Sequence, residues 1–388
     1  MGKDSLPIMK ILFVCNGLMK GNGLRTAVLA SKARLIEAGM DVRILSSGND
    51  DPDDVQPDYC LKHYVFPIFE PLIAYSGFRY AAIDRNLIRE AVEWADVVHL
   101  MEGFPLEAAV VKIAEELGKP CVGTYHIFSE NITSNMGLGE FWPLNKLINL
   151  WWKRAVYDHC IYIQCPTWTV RHYLKRHGYK SRLKVISNGI EIPDHAPEQS
   201  EPSTSPYRII TVGRLANEKS QITLIDAIRY SRHANEIELH IAGKGPKAKK
   251  IKKAAHRLFE DGVVKHDPVF GYYGASELDD LLKTSYLYIH CAKVEVEGLS
   301  CLEAVKQGVV PVIADAKLSA TSQFALDNRS MFPVSDSRRL AEKIDWWIEH
   351  PEERRKMSRK YAESTRNYDI RESARRIMEM YEEALRDA

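Results

Sequence analysis

The stretch YLYIHCAKVEVEGLSCLEAVKQGVVPVIAD, residues 286–315, decides how the chain is built. An apolar run from Tyr286 to Ala292 leads into a loop bearing acids, then into GLSCLEAVKQG at helical spacing between Gly298 and Gly308, then into a second apolar run ending at Asp315. Strand, helix and strand in so few residues form the crossover unit of a parallel sheet, whose strands are covered on both faces and therefore read as unbroken apolar runs. Glu295 stands in the loop ahead of the helix and Glu303 inside it. Amides near Gly298 and the helix N-terminus suit phosphate oxygens, while carboxylates on either side accept from hydroxyls. A nucleotide sugar offers that order: ribose hydroxyls, a diphosphate, then sugar hydroxyls.

The same alternation runs outward in both directions. KILFVCN, DVRILSS, DVVHLM, PCVGTYH and CIYIQCP form one series of strand-like runs, and YRIITVG, IELHIAG, YLYIHCA and VVPVIAD a second. Between them PDHAPEQSEPSTSP, residues 193–206, is rich in proline and serine and lacks an apolar run, so it reads as a linker. The 388 residues suit two domains. The expected fold is α/β, with two Rossmann-like domains at 1–195 and 206–365 facing each other across a cleft, followed by a helix at 366–388. That helix repeats Ile377, Met378, Tyr381 and Leu385 on one face and is expected to pack back toward the first domain.

Composition narrows the function. Hydrophobic residues make up 45% and charged residues 27%, and no run of about 18 apolar residues is present to span a bilayer. The N-terminal apolar run, Ile11 to Cys15, is too short for a signal-peptide core. Seven cysteines without a C-x-x-C pair suggest neither a disulfide framework nor zinc and fit a reducing cytosol, so the sequons at Asn131 and Asn328 read as chance. Nothing fixes an oligomeric state.

Motifs fall just after strands, where open α/β sheets bind ligands. GLMKGNGLRTAV follows the first strand and runs through Gly23 into a helix, a setting that favours an anion. Arg214 and Lys219 in RLANEK follow IITVG and can converge on a diphosphate, or stand as two solvated cations. KGP after LHIAG says only that the chain turns.

In this order GNGLRTAV, ISNGIEI, VGRLANEK, IAGKGP, VFGYYGASEL and EVEGLSCLEAVKQGVVPVIA resemble the retaining GT-B glycosyltransferases of family four over nearly the whole chain. The resemblance implies that Arg214 and Lys219 hold the donor diphosphate, that Glu303 holds the ribose, and that Glu295 contacts the donor sugar with help from Gly298, Leu299 and Ser300. It implies donor contacts from Gly23, Gly243 and Phe270, and a His126 that faces the reacting sugar. Asn22-Gly23 stands where the family pairs two glycines, and Val-Glu-Gly-Leu follows Glu295 where Gly-Phe-Gly-Leu is commoner. The form E-x-x-G-L-x-x-x-E with TYHIFSEN is most similar to the branch that glucosylates diacylglycerol and related lipids. A UDP-sugar donor and a lipid acceptor follow as expectations, with GDP-mannose or a soluble acceptor as the alternative. No cofactor or metal is expected.

Phe141 to Lys184 adds a membrane signal that needs no family. Nine Lys and Arg face a single acid, Asp158, and four of the seven tryptophans fall here. Aromatic and aliphatic residues among cations suit a lipid interface. Trp142, Lys146, Trp151, Trp152, Lys153 and Arg154 are the expected contacts, on an anionic membrane reached from the cytoplasmic side. KGPKAKKIKKAAHR is a second basic run that faces the same membrane or nothing. No nucleic-acid module accompanies these patches. Two other classes stay open: a non-catalytic binding protein of the same fold, and a metal-dependent transferase leaning on the acids of NDDPDDVQPD, which read more simply as a solvated face.

Overall fold

The computed structural model describes residues 8–20, 23–66, 70, 78–135, 137–139, 141–193, 202, 204 and 206–388. They form two compact units, one of Met1–Ser129, Trp142–Gly189 and Ile370–Ala388, the other of Glu130–Phe141 and Ile190–Asp369. The division thus falls at Gly189, and the linker read at 193–206 lies mostly outside the described residues.

In the first unit seven parallel strands form one sheet: β1 (Lys10–Gly17), β2 (Asp41–Ser47), β3 (Tyr59–Leu61), β4 (Val97–Leu100), β5 (Cys121–Thr124), β6 (Tyr162–Cys165) and β7 (Arg182–Val185). Their order is β3-β2-β1-β4-β5-β6-β7. The helices α1 (Gly23–Glu37), α2 (Arg85–Trp94), α3 (Pro105–Glu116), α4 (Trp142–Ala155) and α5 (Trp168–Arg176) belong to it. Capping fixes where they begin: the Asp84 carboxylate accepts from the amides of Asn86 and Leu87 at 3.0 and 3.2 Å, and Thr167 accepts from Val170 at 3.3 Å.

The C-terminal helix, Ile370–Asp387, buries Ala374, Ile377, Met380, Tyr381 and Ala384 in the same core as Ile11, Phe13, Val97 and Val122. Its buried face is centred one step away from the stripe read in the sequence, for Leu385 is 40% exposed and Ala384 takes the inward place. A one-way chain of hydrogen bonds ties this helix to the sheet. Tyr381 donates to His99 Nδ1 (2.7 Å), His99 Nε2 to Thr124 Oγ1 (2.7 Å), Thr124 to Gln164 Oε1 (2.9 Å), and Gln164 Nε2 to the Ile186 carbonyl (3.0 Å). Thr124 has a proton to give only onward, which sets the His99 tautomer. Burial holds that imidazole neutral, down to about 3.

The second unit repeats the plan with β8 (Tyr207–Val212), β9 (Ile237–Ala242), β10 (Val269–Gly271), β11 (Leu287–His290), β12 (Val310–Asp315) and β13 (Met331–Pro333), in the order β10-β9-β8-β11-β12-β13, all parallel. Its helices include α6 (Gln221–Tyr230), α7 (Ala248–Glu260), α8 (Ala275–Lys283), α9 (Leu299–Lys306), α10 (Ser337–Glu349) and α11 (Pro351–Ser364). Residues 286–315 form β11, α9 and β12, the crossover expected of them. Both sheets reverse strand order beside their first strand, at β1/β4 and at β8/β11, and the carboxyl ends of strands at such a point are where open α/β sheets hold ligands.

Candidate active site

At the β8/β11 reversal two loops are drawn together. The Gly213 amide donates to the Ala242 carbonyl (2.9 Å) and the Leu215 amide to that of Lys244 (2.8 Å). A Cβ on Gly243, whose φ is 146°, would lie 2.0 Å from the Gly213 carbonyl oxygen, so only glycine allows this approach. Arg214 leaves the first loop, and its guanidinium meets Glu218 Oε1 at 2.5 Å. The Glu218 residue is 1% exposed, so the acid fixes the cation from inside. Gln221 Nε2 donates to the Arg214 carbonyl at 2.9 Å.

Lys219, one residue past Glu218, is ion-paired with Glu295 in the loop after β11. Glu295 Oε2 also lies 3.6 Å from His290 Nε2. Burial opposes the charged form of Glu295, yet Lys219 first, then His290 and Arg214, hold it below the ordinary carboxylate range. His290, the last residue of β11, is kept neutral by burial, down to about 4, and touches Thr321 Oγ1 and the Tyr288 hydroxyl, each at 3.2 Å. Tyr288 in turn meets Ser300 Oγ at 3.0 Å, and Ser300 donates to the Val212 carbonyl at 3.3 Å. Gly298 starts α9 at φ 92°, where a Cβ would lie 2.5 Å from Thr321 Oγ1. Glu303, half-buried one turn into α9, is raised by burial, with Lys306 partly offsetting.

Of the residues read in the sequence, Arg214, Lys219, Gly243, Glu295, Gly298 and Ser300 therefore gather at one end of one sheet, with Leu299 and Glu303 on the helix behind. Phe270 lies half-buried on the edge strand β10, Lys252 Nζ 5.5 Å from its ring centre. Glu218, His290 and Thr321 were not legible as site residues. Glu218 hides inside RLANEK between two cations, and His290 looks like one more strand residue.

The remaining two stand in the first unit. Gly23 is the first residue of α1, and the rest of its loop, Gly21-Asn22, lies outside the described residues. His126 follows β5 and is half-buried beside a small cavity lined by His99, Thr124, Gln164, Asn188 and Ile377. Burial holds it neutral, down to about 4.

The β1/β4 reversal carries a cluster that the sequence did not announce. Asn16 is the penultimate residue of β1, Glu102 follows β4 and Glu107 lies in the first turn of α3. The Asn16 amide N–H donates to Glu102 Oε2 (2.9 Å), and its Nδ2 reaches both Glu102 (3.3 Å) and Glu107 (3.1 Å). The Phe104 amide donates to Glu107 Oε2 (3.0 Å). Both acids are fully buried. Burial drives both above the ordinary carboxylate range, Glu102 to about 7.

Two sequence readings need correction. Trp152 is 2% exposed and packs edge-on against Phe104 and Tyr125, so it is core and not a membrane contact. Lys153 bends to Asp158 at 3.5 Å. Trp142, Lys146, Trp151 and Arg154 do face outward. The acids of NDDPDDVQPD are not merely solvated: Asp54 pairs with Arg25 at 2.6 Å and falls to about 2, Asp51 pairs with Lys20 at 3.1 Å, and Asp50 pairs with Arg79.

Residues 21–192 match the family described as Glycosyltransferase Family 4, and residues 194–364 that described as Glycosyl transferases group 1. Among curated proteins, the alpha-monoglucosyldiacylglycerol synthase of Streptococcus pneumoniae is 24% identical over 311 residues, 76% of this chain and 68% of the relative. Anabaena HepE, solved in complex with UDP and glucose, superposes at TM-score 0.70 with 15% identity, covering 97% of this chain and 100% of its own. The catalytic domain of cholesterol-alpha-glucosyltransferase from Helicobacter pylori is 45% identical over 42% of this chain and 100% of its own, at a TM-score of 0.38.

Proposed function

Since the chain belongs to the glycosyltransferases built from a family 4 and a group 1 domain, we propose that it moves a hexose from UDP-glucose or UDP-galactose to a hydroxyl of a membrane lipid of the diacylglycerol or ceramide kind. The anomeric configuration is retained, and the enzyme works as a peripheral protein on the cytoplasmic face. The name of the streptococcal relative supports a lipid acceptor.

One observation carries the acceptor half: α4 has its polarity inverted. Asn145 and Asn149 point inward, 5% and 4% exposed, and Asn149 is held by the Tyr125 hydroxyl at 3.0 Å and donates to Ser129 and the Tyr173 hydroxyl, both at 2.7 Å. Leu147, Leu150 and Trp151 point outward at 62, 38 and 42% exposure, with Trp142 at 70%. With Lys146 and Arg154 these make an apolar face bordered by cations, which fits an anionic interface. No described helix is long and apolar enough to cross a membrane.

In the reaction the bond between the anomeric carbon and the β-phosphate oxygen breaks, the acceptor oxygen bonds to that carbon from the face the diphosphate leaves, and the acceptor proton passes to a departing phosphate oxygen. Arg214, braced by Glu218, and Lys219 take up charge that grows on the leaving diphosphate, so they act on the transition state more than on binding. Glu295, ionised beside Lys219, accepts from sugar hydroxyls, and Glu303 from the ribose. The two carboxyls are substrate-holding groups, not a hydrolase acid/base pair. No metal is required. Flotation with anionic vesicles tests the membrane half. Trp142→Ser/Trp151→Ser is expected to lower partition at least tenfold with folding intact; unchanged partition contradicts it.

A further inference from the structure

The second unit carries an unanswered stripe of charge. The chain as a whole is balanced, with 53 Lys and Arg against 52 Asp and Glu, and elsewhere on the second unit Arg208, Arg229, Arg232, Lys306 and Arg329 each reach a carboxylate. Helix α7 departs from this. KAKKIKKAAHR, residues 247–257, holds six cations and no acid. Ile251, Ala255 and Leu258 bury one face, and Lys249, Lys250, Lys252, Lys253 and Arg257 occupy the other, all exposed. None of these five forms an ion pair among the described residues, although His256 on the same helix pairs with Asp267 at 2.9 Å and Asp261 beyond it pairs with Arg229 at 2.7 Å. Local acids are thus spent on other partners. Large apolar side chains border the stripe. Phe259 is 44% exposed, and Val269 and Tyr272, on and just past the edge strand β10, are 37% and 47% exposed.

We propose that the outer face of α7, with the β10 edge beside it, is a second docking surface for an anionic lipid bilayer, on the donor-binding unit and separate from α4. The charge supplies attraction over roughly a Debye length, about 10 Å at 0.1 M salt, and Phe259, Val269 and Tyr272 give an apolar anchor once the surface is reached. Duplex nucleic acid also attracts cations, but exposed aliphatic and aromatic side chains flanking a lysine face suit acyl chains better than phosphates alone. The proposal rests on the membrane reading of α4 for the kind of partner but not for the place of contact.

The test uses the full chain, floated with phosphatidylcholine vesicles with or without phosphatidylglycerol. Lys249→Gln/Lys250→Gln/Lys253→Gln keeps helix propensity and lies outside the donor site, so melting and lipid-free donor turnover serve as controls. Each cation near an anionic surface is worth on the order of fivefold, so the triple variant is expected to lose about a hundredfold in partition onto phosphatidylglycerol vesicles and nothing onto phosphatidylcholine. Unchanged partition in the triple variant, with loss in Trp142→Ser/Trp151→Ser, overturns this proposal and leaves the α4 reading standing. The reverse pattern overturns the α4 reading and upholds this one. Tighter binding to duplex DNA of random sequence than to any vesicle overturns it in favour of nucleic acid.

Discussion

The two units place acids at the same point of the same strand order and treat them in opposite ways. At β8/β11, Glu218 meets Arg214 and Glu295 meets Lys219, so each carboxylate has a cation. At β1/β4, Glu102 and Glu107 share the side chain of Asn16 and backbone amides, and no cation reaches them among the described residues. Two buried carboxylates without a counter-charge cannot both ionise at modest cost, so the pair keeps a proton. The difference separates two roles. On the proposed function, the second unit keeps charged groups ready for an anionic, hydroxyl-bearing ligand, whereas the first uses a proton-retaining acid pair to fasten β1 and β4 to α3.

The largest effect that would break this comparison is catalytic. Arg214→Ala and Lys219→Ala are each expected to lower kcat/KM by on the order of tenfold to a thousandfold, the scale of a lost contact to a leaving group. Near-normal turnover in both would remove the charge-matched site from the mechanism.

Next comes a pH signature of opposite sign in the two units. Glu102 is raised above its unfolded value, so the native state holds the extra proton. That stability is present below the ordinary carboxylate range and is lost as pH rises through the raised folded value. Glu295 is lowered, so its contribution is present above its ordinary value and fades as pH falls through the folded one. Urea melts across pH should show Glu107→Gln flattening the alkaline limb and Glu295→Gln the acid limb. If both variants flatten the same limb, the contrast between the units is wrong.

The smallest effect separates the two carboxyls of the second unit. Glu303→Ala should raise the donor KM by roughly tenfold with kcat nearly kept, because a ribose hydrogen bond contributes about equally to ground and transition states. Glu295→Ala should lower kcat more. Steady-state kinetics with the donor varied reads both, and an exchange of these patterns would reverse the assignments.

The fold was legible because parallel strands bury both faces and cannot hide their apolar runs. What escaped depended on neighbours remote in sequence. Asn16 and Glu102 stand 86 residues apart and meet because β1 lies beside β4. The stretch from 141 to 184 announced its cations and tryptophans but not their direction. In α4, Asn145, Asn149 and Trp152 repeat at the same helical spacing as Leu147, Leu150, Trp151 and Arg154, so either stripe was eligible for the core. The tyrosine hydroxyls that hold Asn149 decided it. Trp151 and Trp152, adjacent in sequence, consequently part to opposite sides.

The most direct measurement follows UDP release and glycolipid formation together when the purified protein meets a UDP-hexose and vesicles containing diacylglycerol or ceramide. Release is expected to depend on the lipid, with one glycolipid of retained configuration formed per UDP and at least a tenfold fall with Lys219→Ala. Release indifferent to lipid and to Lys219, or turnover only with a soluble sugar, would contradict the proposed function.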